Sequence, residues 1–158
     1  MFFRPKSTPR LNPSKPHLII VVDTNVFIGN LGQLKAFLES PLATDANVIL
    51  YVPWTVLREL DSLKKRMKQA PRAIDFLLEA LKRERERDKR IRIQTLKEEQ
   101  VAVEFAGAGA AQDDVADDRI LYTALRVKPV CQSARVLLYT NDKNLSLKAI
   151  ASGIECTW

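Results

Sequence analysis

Leu18-Ile19-Ile20-Val21-Val22-Asp23-Thr24-Asn25 is the stretch that decides the fold. A strand with one face in water alternates apolar and polar residues. Here the apolar run is unbroken and mostly β-branched, so both faces are expected to be covered. That is the signature of a central strand in a parallel sheet, and it runs directly into a carboxylate. Val48-Ile49-Leu50-Tyr51-Val52 repeats the pattern, as does Val136-Leu137-Leu138-Tyr139, which is followed by Thr140-Asn141-Asp142.

Helical patterns separate these runs. A helix is expected over about Val26 to Glu39, with Leu31, Leu34, Phe37 and Leu38 on its apolar side and Pro41 as its stop. Pro53 can sit near the start of the next helix, which carries Val56, Leu57, Leu60 and Leu63 with Glu59 beside the stripe. A third begins near Pro71 with Ile74, Leu77, Leu78 and Leu81, and its tail, Lys82 to Arg92, is a dense mixed-charge run. Ile91 to Thr95 reads as a short strand and residues 104–112, rich in Gly and Ala, as a loop. A helix starting near Asp114, a last helix over about Leu145 to Ala151 and a strand over Ile154 to Thr157 complete the chain. Strands alternating with helices specify an α/β domain, with a mainly parallel sheet and helices on both faces. The domain is expected over 18–158. Residues 1–17, with Pro5, Pro9, Pro13 and Pro16 among basic residues and no acid, read as a flexible lead-in.

In such sheets ligands bind beyond the carboxyl ends of the strands. Asp23 and Asp142 each follow a buried strand and are expected on that edge. Glu59, early in the helix after the second strand, can reach the same edge; Asp113, Asp114, Asp117 and Asp118 begin a later helix. Each has an ordinary explanation alone, as a turn residue, a cap or a favourable charge near a helix N-terminus. Their convergence is less ordinary. Carboxylates within a few ångströms repel one another, and a divalent cation removes that penalty. Oxygen-only donors suit Mg²⁺ or Mn²⁺ rather than zinc. An ion so held can orient and acidify a water and stabilise charge on a transferring phosphoryl group.

The absences narrow the chemistry. His17 is the only histidine, which excludes a paired-histidine ribonuclease and disfavours a Ser-His-Asp triad. Neither GxxxxGK[ST] nor GxGxxG occurs. Cys131 and Cys156, without CxxC spacing, argue against a disulfide scaffold or a zinc site.

Taken together, Val21–Val26, Pro53–Asp61, Asp117–Leu121 and Thr140–Leu145 resemble the PIN domain. The similarity is to its eukaryotic branch, which includes the nonsense-mediated-decay endonuclease and a nuclear mRNA-surveillance endoribonuclease of the nuclear-pore-associated type. It covers the chain from Leu18 onward. The resemblance implies an α/β/α sandwich related to the 5′ nuclease fold, and a Mg²⁺- or Mn²⁺-dependent endoribonuclease of single-stranded RNA that works by in-line attack of water. Carried over, Asp23, Glu59 and Asp142 are catalytic metal-binding acids. The third acid has two registers: Asp117, which matches Asp-x-x-Ile and is preferred, and Asp118. Thr24, Asn25, Thr140 and Asn141 are expected to position the acids or a phosphate. It further implies a nuclear protein, with the cytoplasm as a second location, acting beside other domains of a larger chain and mRNA-processing or export factors. The alternatives are a non-catalytic RNA- or protein-binding module, a structure-specific DNA nuclease, and a small tRNA-cutting toxin.

The net charge of +6 fits a polyanionic partner. Arg58, Lys64, Lys65, Arg119 and Lys143 flank the acids in sequence and are expected to hold the phosphate backbone. Few aromatic residues are free to stack bases, so unpaired strands without sequence readout are the expected substrate. No apolar run approaches the ~20 residues a membrane helix needs, so no membrane insertion is expected.

Overall fold

The computed structural model describes residues 16–83, 90–107 and 116–158. Five parallel strands form one sheet in the order β3-β2-β1-β4-β5. They are β1 (Leu18–Val22), β2 (Val48–Val52), β3 (Ile91–Ile93), β4 (Arg135–Tyr139) and β5 (Glu155–Thr157). β1 lies at the centre, with Val21 and Val22 fully buried, as an unbroken β-branched run requires. The chain steps from β1 to β2 to β3 on one side, then returns across the sheet to β4 and β5 on the other. The gap between β1 and β4 is therefore the topological switch point, where a crevice opens at the carboxyl ends of the strands.

Eight helices accompany these strands among the described residues. They are α1 (Thr24–Gly29), α2 (Leu31–Glu39), α3 (Pro41–Asp45), α4 (Trp54–Leu63), α5 (Gln69–Arg83), α6 (Leu96–Phe105), α7 (Ala116–Val130) and α8 (Lys143–Ala151). α1 and α4 pack on α5, α7 packs on α4, α6 and α8, and the core runs continuously from Ile19 to Ile154. None of the described helices is long and apolar enough to cross a membrane.

Several boundaries differ from the sequence expectations. The single helix over Val26–Glu39 is two, broken at Asn30 (φ −129°, ψ 20°). Gly29 and Asn30 are weak helix formers, and the Asn30 side chain makes its own bonds to Gln33 and Asn141. α2 ends at Glu39, before Pro41 as expected, and Pro41 in turn starts a further short helix, α3. Ser40 accepts from the Ala43 N–H as an N-cap, and proline suits the first helical position. α5 begins at Gln69, before Pro71, which sits in the first turn where no N–H is needed. β3 stops at Ile93 rather than Thr95, because Thr95 caps α6. At the end of α8, Gly153 adopts φ +83° and turns the chain into β5. The lead-in up to residue 15, the 84–89 part of the charged run, and Asp113 and Asp114 lie outside the described residues.

Candidate metal centre

The register of the sheet builds the first half of the site. Val22 pairs with Tyr139, and the Asp23 N–H donates to the Tyr139 carbonyl at 3.0 Å, so the ladder continues one residue past β1 and sets Asp23 beside Thr140. The Thr140 hydroxyl donates to Asp23 Oδ2 at 2.6 Å and accepts from the Asp142 N–H at 3.0 Å. One hydroxyl thus joins the acid after β1 to the backbone of the acid after β4. Asp23 also caps α1, its Oδ1 accepting from the Thr24 N–H at 2.6 Å. Asp142 caps α8, its Oδ1 accepting from the N–H groups of Asn144 (2.8 Å) and Leu145 (3.1 Å). The Asn141 N–H donates to Asn25 Oδ1 at 3.2 Å and its amide to Asn30 Oδ1 at 2.8 Å, which ties the β4–α8 turn to α1 and the α1–α2 junction.

The second half is carried by helices. Glu59, half-buried on α4, accepts the Thr24 hydroxyl on Oε1 at 3.0 Å. Asp117, half-buried in the first turn of α7, is within electrostatic range of Asp23, Asp142 and Glu59. Adjacent Asp118 is drawn off by Lys148, whose Nζ stands 2.9 Å from Oδ1. Of the two registers, Asp117 is the one the structure turns toward the other acids.

The electrostatics are those of uncompensated negative charge. Burial raises the Asp23 carboxyl above its ordinary value, Asp142 pushes it further, and the Thr140 and Thr24 hydrogen bonds only partly oppose them. Burial likewise raises Glu59, with Asp23 and Asp117 adding to the effect and the Thr24 hydroxyl opposing it. Asp117 is raised by burial and then by Asp23 and Asp142. These donors are hard oxygens, and Glu59 Oε2 and Asp142 Oδ2 carry no hydrogen bond among the described residues, which fits Mg²⁺ or Mn²⁺. The side chains are not drawn in around an ion. No group of three or more His, Cys, Asp or Glu residues among those described is arranged to hold one, and Asp23 spends both oxygens on protein donors.

Three of the basic residues expected at the phosphate backbone have acidic partners within the protein. Arg58 and Arg119, read as phosphate ligands, both turn to Glu99, at 2.5 Å and 3.3 Å. The physical reason is that Glu99 is only 1% exposed, and a buried carboxylate requires a cation. Lys64 pairs with Asp61 at 2.6 Å. Lys65 and Lys143 are exposed, Lys143 in the residue after Asp142. Glu99 itself was not visible in the apolar periodicity, because α6 has little of it. The signal that does mark the helix is the capping box, Thr95 with Glu98, both of whose bonds form.

The family model for the PIN domain matches residues 20–157. The human Transcriptional protein SWT1 is 28% identical over 150 residues, covering 91% of this chain and 16% of its own length. Transcriptional protein swt1 of Schizosaccharomyces pombe (strain 972 / ATCC 24843) is 29% identical over 147 residues, covering 90% of this chain and 29% of its own. The chain thus spans well under a third of either relative. The solved structure of the PIN domain endonuclease Utp24 superposes with a TM-score of 0.51 at 27% identity, covering 92% of this chain and 85% of that one. With the parallel sheet and the acids at its switch point, these similarities place the chain in the PIN domain family, as a nuclease-type module.

Proposed function

We propose that the chain is a divalent-ion-dependent endoribonuclease that hydrolyses phosphodiester bonds of single-stranded RNA. The observation that carries this reading is the gathering of Asp23, Glu59, Asp117 and Asp142 from four separate segments onto one sheet edge, where the first three have raised carboxyl pKa values. Maintaining such repulsion is costly unless a cation offsets it. Asp23, Glu59, Asp117 and Asp142 would hold Mg²⁺ or Mn²⁺, which when bound supplies an acidified water and stabilises charge on the phosphoryl oxygens. Thr140 orients Asp23, Thr24 orients Glu59, and Asn25 and Asn141 brace the turn that carries Asp142. Lys65 and Lys143 approach the RNA backbone as exposed charges, and their contribution weakens with salt. The relatives' name as transcriptional proteins supports a nuclear role within a longer protein.

A second reading has its own observation. Both Asp23 oxygens accept hydrogen bonds from the protein, and no group of three or more His, Cys, Asp or Glu residues among those described is arranged to hold a metal, as in a module that uses its acids only structurally. One experiment separates the two: cleavage of end-labelled single-stranded RNA by the full chain with Mn²⁺, Mg²⁺ or EDTA, beside Asp23→Asn. Metal-dependent cutting that the substitution abolishes supports the nuclease. No cutting in either metal, with no thermal shift on adding Mn²⁺, supports the binding module.

A further inference from the structure

Glu99 lies on α6, outside the acid cluster, and is 1% exposed. Its Oε2 accepts from Arg58 Nη2 at 2.5 Å and faces Arg119 Nη1 at 3.3 Å, while its Oε1 is buried with no hydrogen-bond partner. Arg58 immediately precedes Glu59 on α4, and Arg119 follows Asp117 by two residues on α7. A single buried carboxylate therefore grips the two helices that bring Glu59 and Asp117 to the site. Gln94, also buried, repeats the connection. Its Oε1 accepts from the Trp54 N–H at the start of α4 (3.0 Å) and from the Thr123 hydroxyl on α7 (3.2 Å). The capping box of Thr95 and Glu98 fixes the chain between these two side chains.

We propose that Glu99 is a positioning residue for the metal centre: through Arg58 and Arg119 it sets the spacing of α4 and α7, the helices that carry Glu59 and Asp117. A buried carboxylate left with one oxygen unpartnered is expensive to keep, and a purely structural contact between these helices would be better served by apolar side chains. The inference takes the roles of Glu59 and Asp117 from the proposed function.

The test is Glu99→Gln in the full chain, which keeps the size and removes the charge. Three quantities are measured where circular dichroism shows the variant folded: the Mn²⁺ dissociation constant by electron paramagnetic resonance, kcat and KM for single-stranded RNA at saturating Mn²⁺, and amide hydrogen exchange. The expected result is Mn²⁺ binding weakened about tenfold and kcat lowered by a similar factor, with KM for RNA little changed. A folded variant with wild-type Mn²⁺ affinity and kcat would overturn the proposal, whatever its melting temperature. Should Glu99→Gln fail to fold, Arg58→Lys decides, since it keeps the charge and replaces the guanidinium N–H that reaches Glu99 Oε2 with an ammonium on a shorter, differently shaped side chain. A smaller loss of Mn²⁺ affinity and kcat supports positioning, whereas an unchanged variant, or a change in KM alone, overturns it. If the wild-type chain itself neither binds Mn²⁺ nor cuts RNA, the proposed function fails separately. Hydrogen exchange then decides: faster exchange confined to α4 and α7 in the variant supports the clamp, and uniform or absent change refutes it.

Discussion

The two halves of the acid cluster are held in unlike ways. Asp23 and Asp142 sit at the ends of adjacent, directly paired strands, and the Thr140 hydroxyl joins one carboxylate to the other's backbone. Their separation is a property of the sheet. Glu59 and Asp117 come from α4 and α7, which pack on each other and are also linked by the side chains of Gln94 and Glu99. The strand half is fixed by the fold, while the helix half can be adjusted by substitutions distant from the acids. Acids assembled in this way keep a rigid anchor at the strand ends and leave the helix-borne acids open to adjustment.

The largest expected effect is in the strand half. Asp23→Asn removes charge without size, and cleavage of single-stranded RNA should fall on the order of 10³-fold with little change in melting temperature. Glu59→Gln should lose activity comparably, because the cation's demand for charge does not depend on which half supplies it. Retained activity in either variant would remove that residue from the site. Next in size is Thr140→Val, which strips a hydrogen bond from buried Asp23 and leaves the Asp142 N–H without its acceptor. A loss of about 1–3 kcal/mol in urea denaturation is expected, the usual cost of unpaired buried polar groups. No loss would mean that the strand half does not depend on this hydroxyl.

The same division governs what the sequence makes legible. The unbroken apolar runs of β1, β2 and β4 announce a parallel sheet, and the acid that follows β1 and the one that follows β4 are then placed by topology alone. Asp117 and Asp118 could be located on one helix start but not told apart, because their difference depends on Lys148, 30 residues away in the chain. Glu99 and Gln94 are less visible still. Their meaning lies in contacts to Arg58, Arg119, Trp54 and Thr123, which no local period encodes. Arg58 and Arg119 were legible as charges near acids, yet only the buried carboxylate shows which way they turn.

Thr24→Val is the counterpart of Thr140→Val in the helix half, and the contrast between them sharpens the comparison. The Thr24 hydroxyl donates to Glu59 Oε1 alone, and Glu59 is only half-buried, so water can replace the lost bond. The expected destabilisation is about 0.5–1 kcal/mol, smaller than at Thr140. Its signature should be coupling: a double-mutant cycle with Glu59→Ala, which removes the acceptor, should show most of the Thr24 effect disappearing, while a cycle with Asp142→Ala should be additive. Equal costs for the two threonine substitutions would undo the distinction between a fixed and an adjustable half.

The smallest effect is a pH dependence shared by both halves. For Asp23, Glu59 and Asp117 the folded-state carboxyls are raised above their ordinary values of 3.8, 4.5 and 3.8, chiefly by burial and then by neighbouring carboxylates of the cluster, Asp142 among them. The folded state therefore binds protons more tightly than the unfolded chain, and through this region ∂ΔG/∂pH of unfolding is negative. The strain is absent below the unfolded values, grows as pH rises through the raised folded values, and is constant above them. The metal-free protein should accordingly gain melting temperature on mild acidification from neutral pH, before general acid denaturation sets in, and saturating Mn²⁺ at neutral pH should supply the same stabilisation and flatten the profile. Asp23→Asn should remove more of the slope than Asp117→Asn, because Asp23 is the more deeply buried of the two. A melting temperature that falls monotonically from neutral pH downward would show that these carboxylates are not strained in the absence of metal, and the division between the two halves would then be one of geometry without an electrostatic cost.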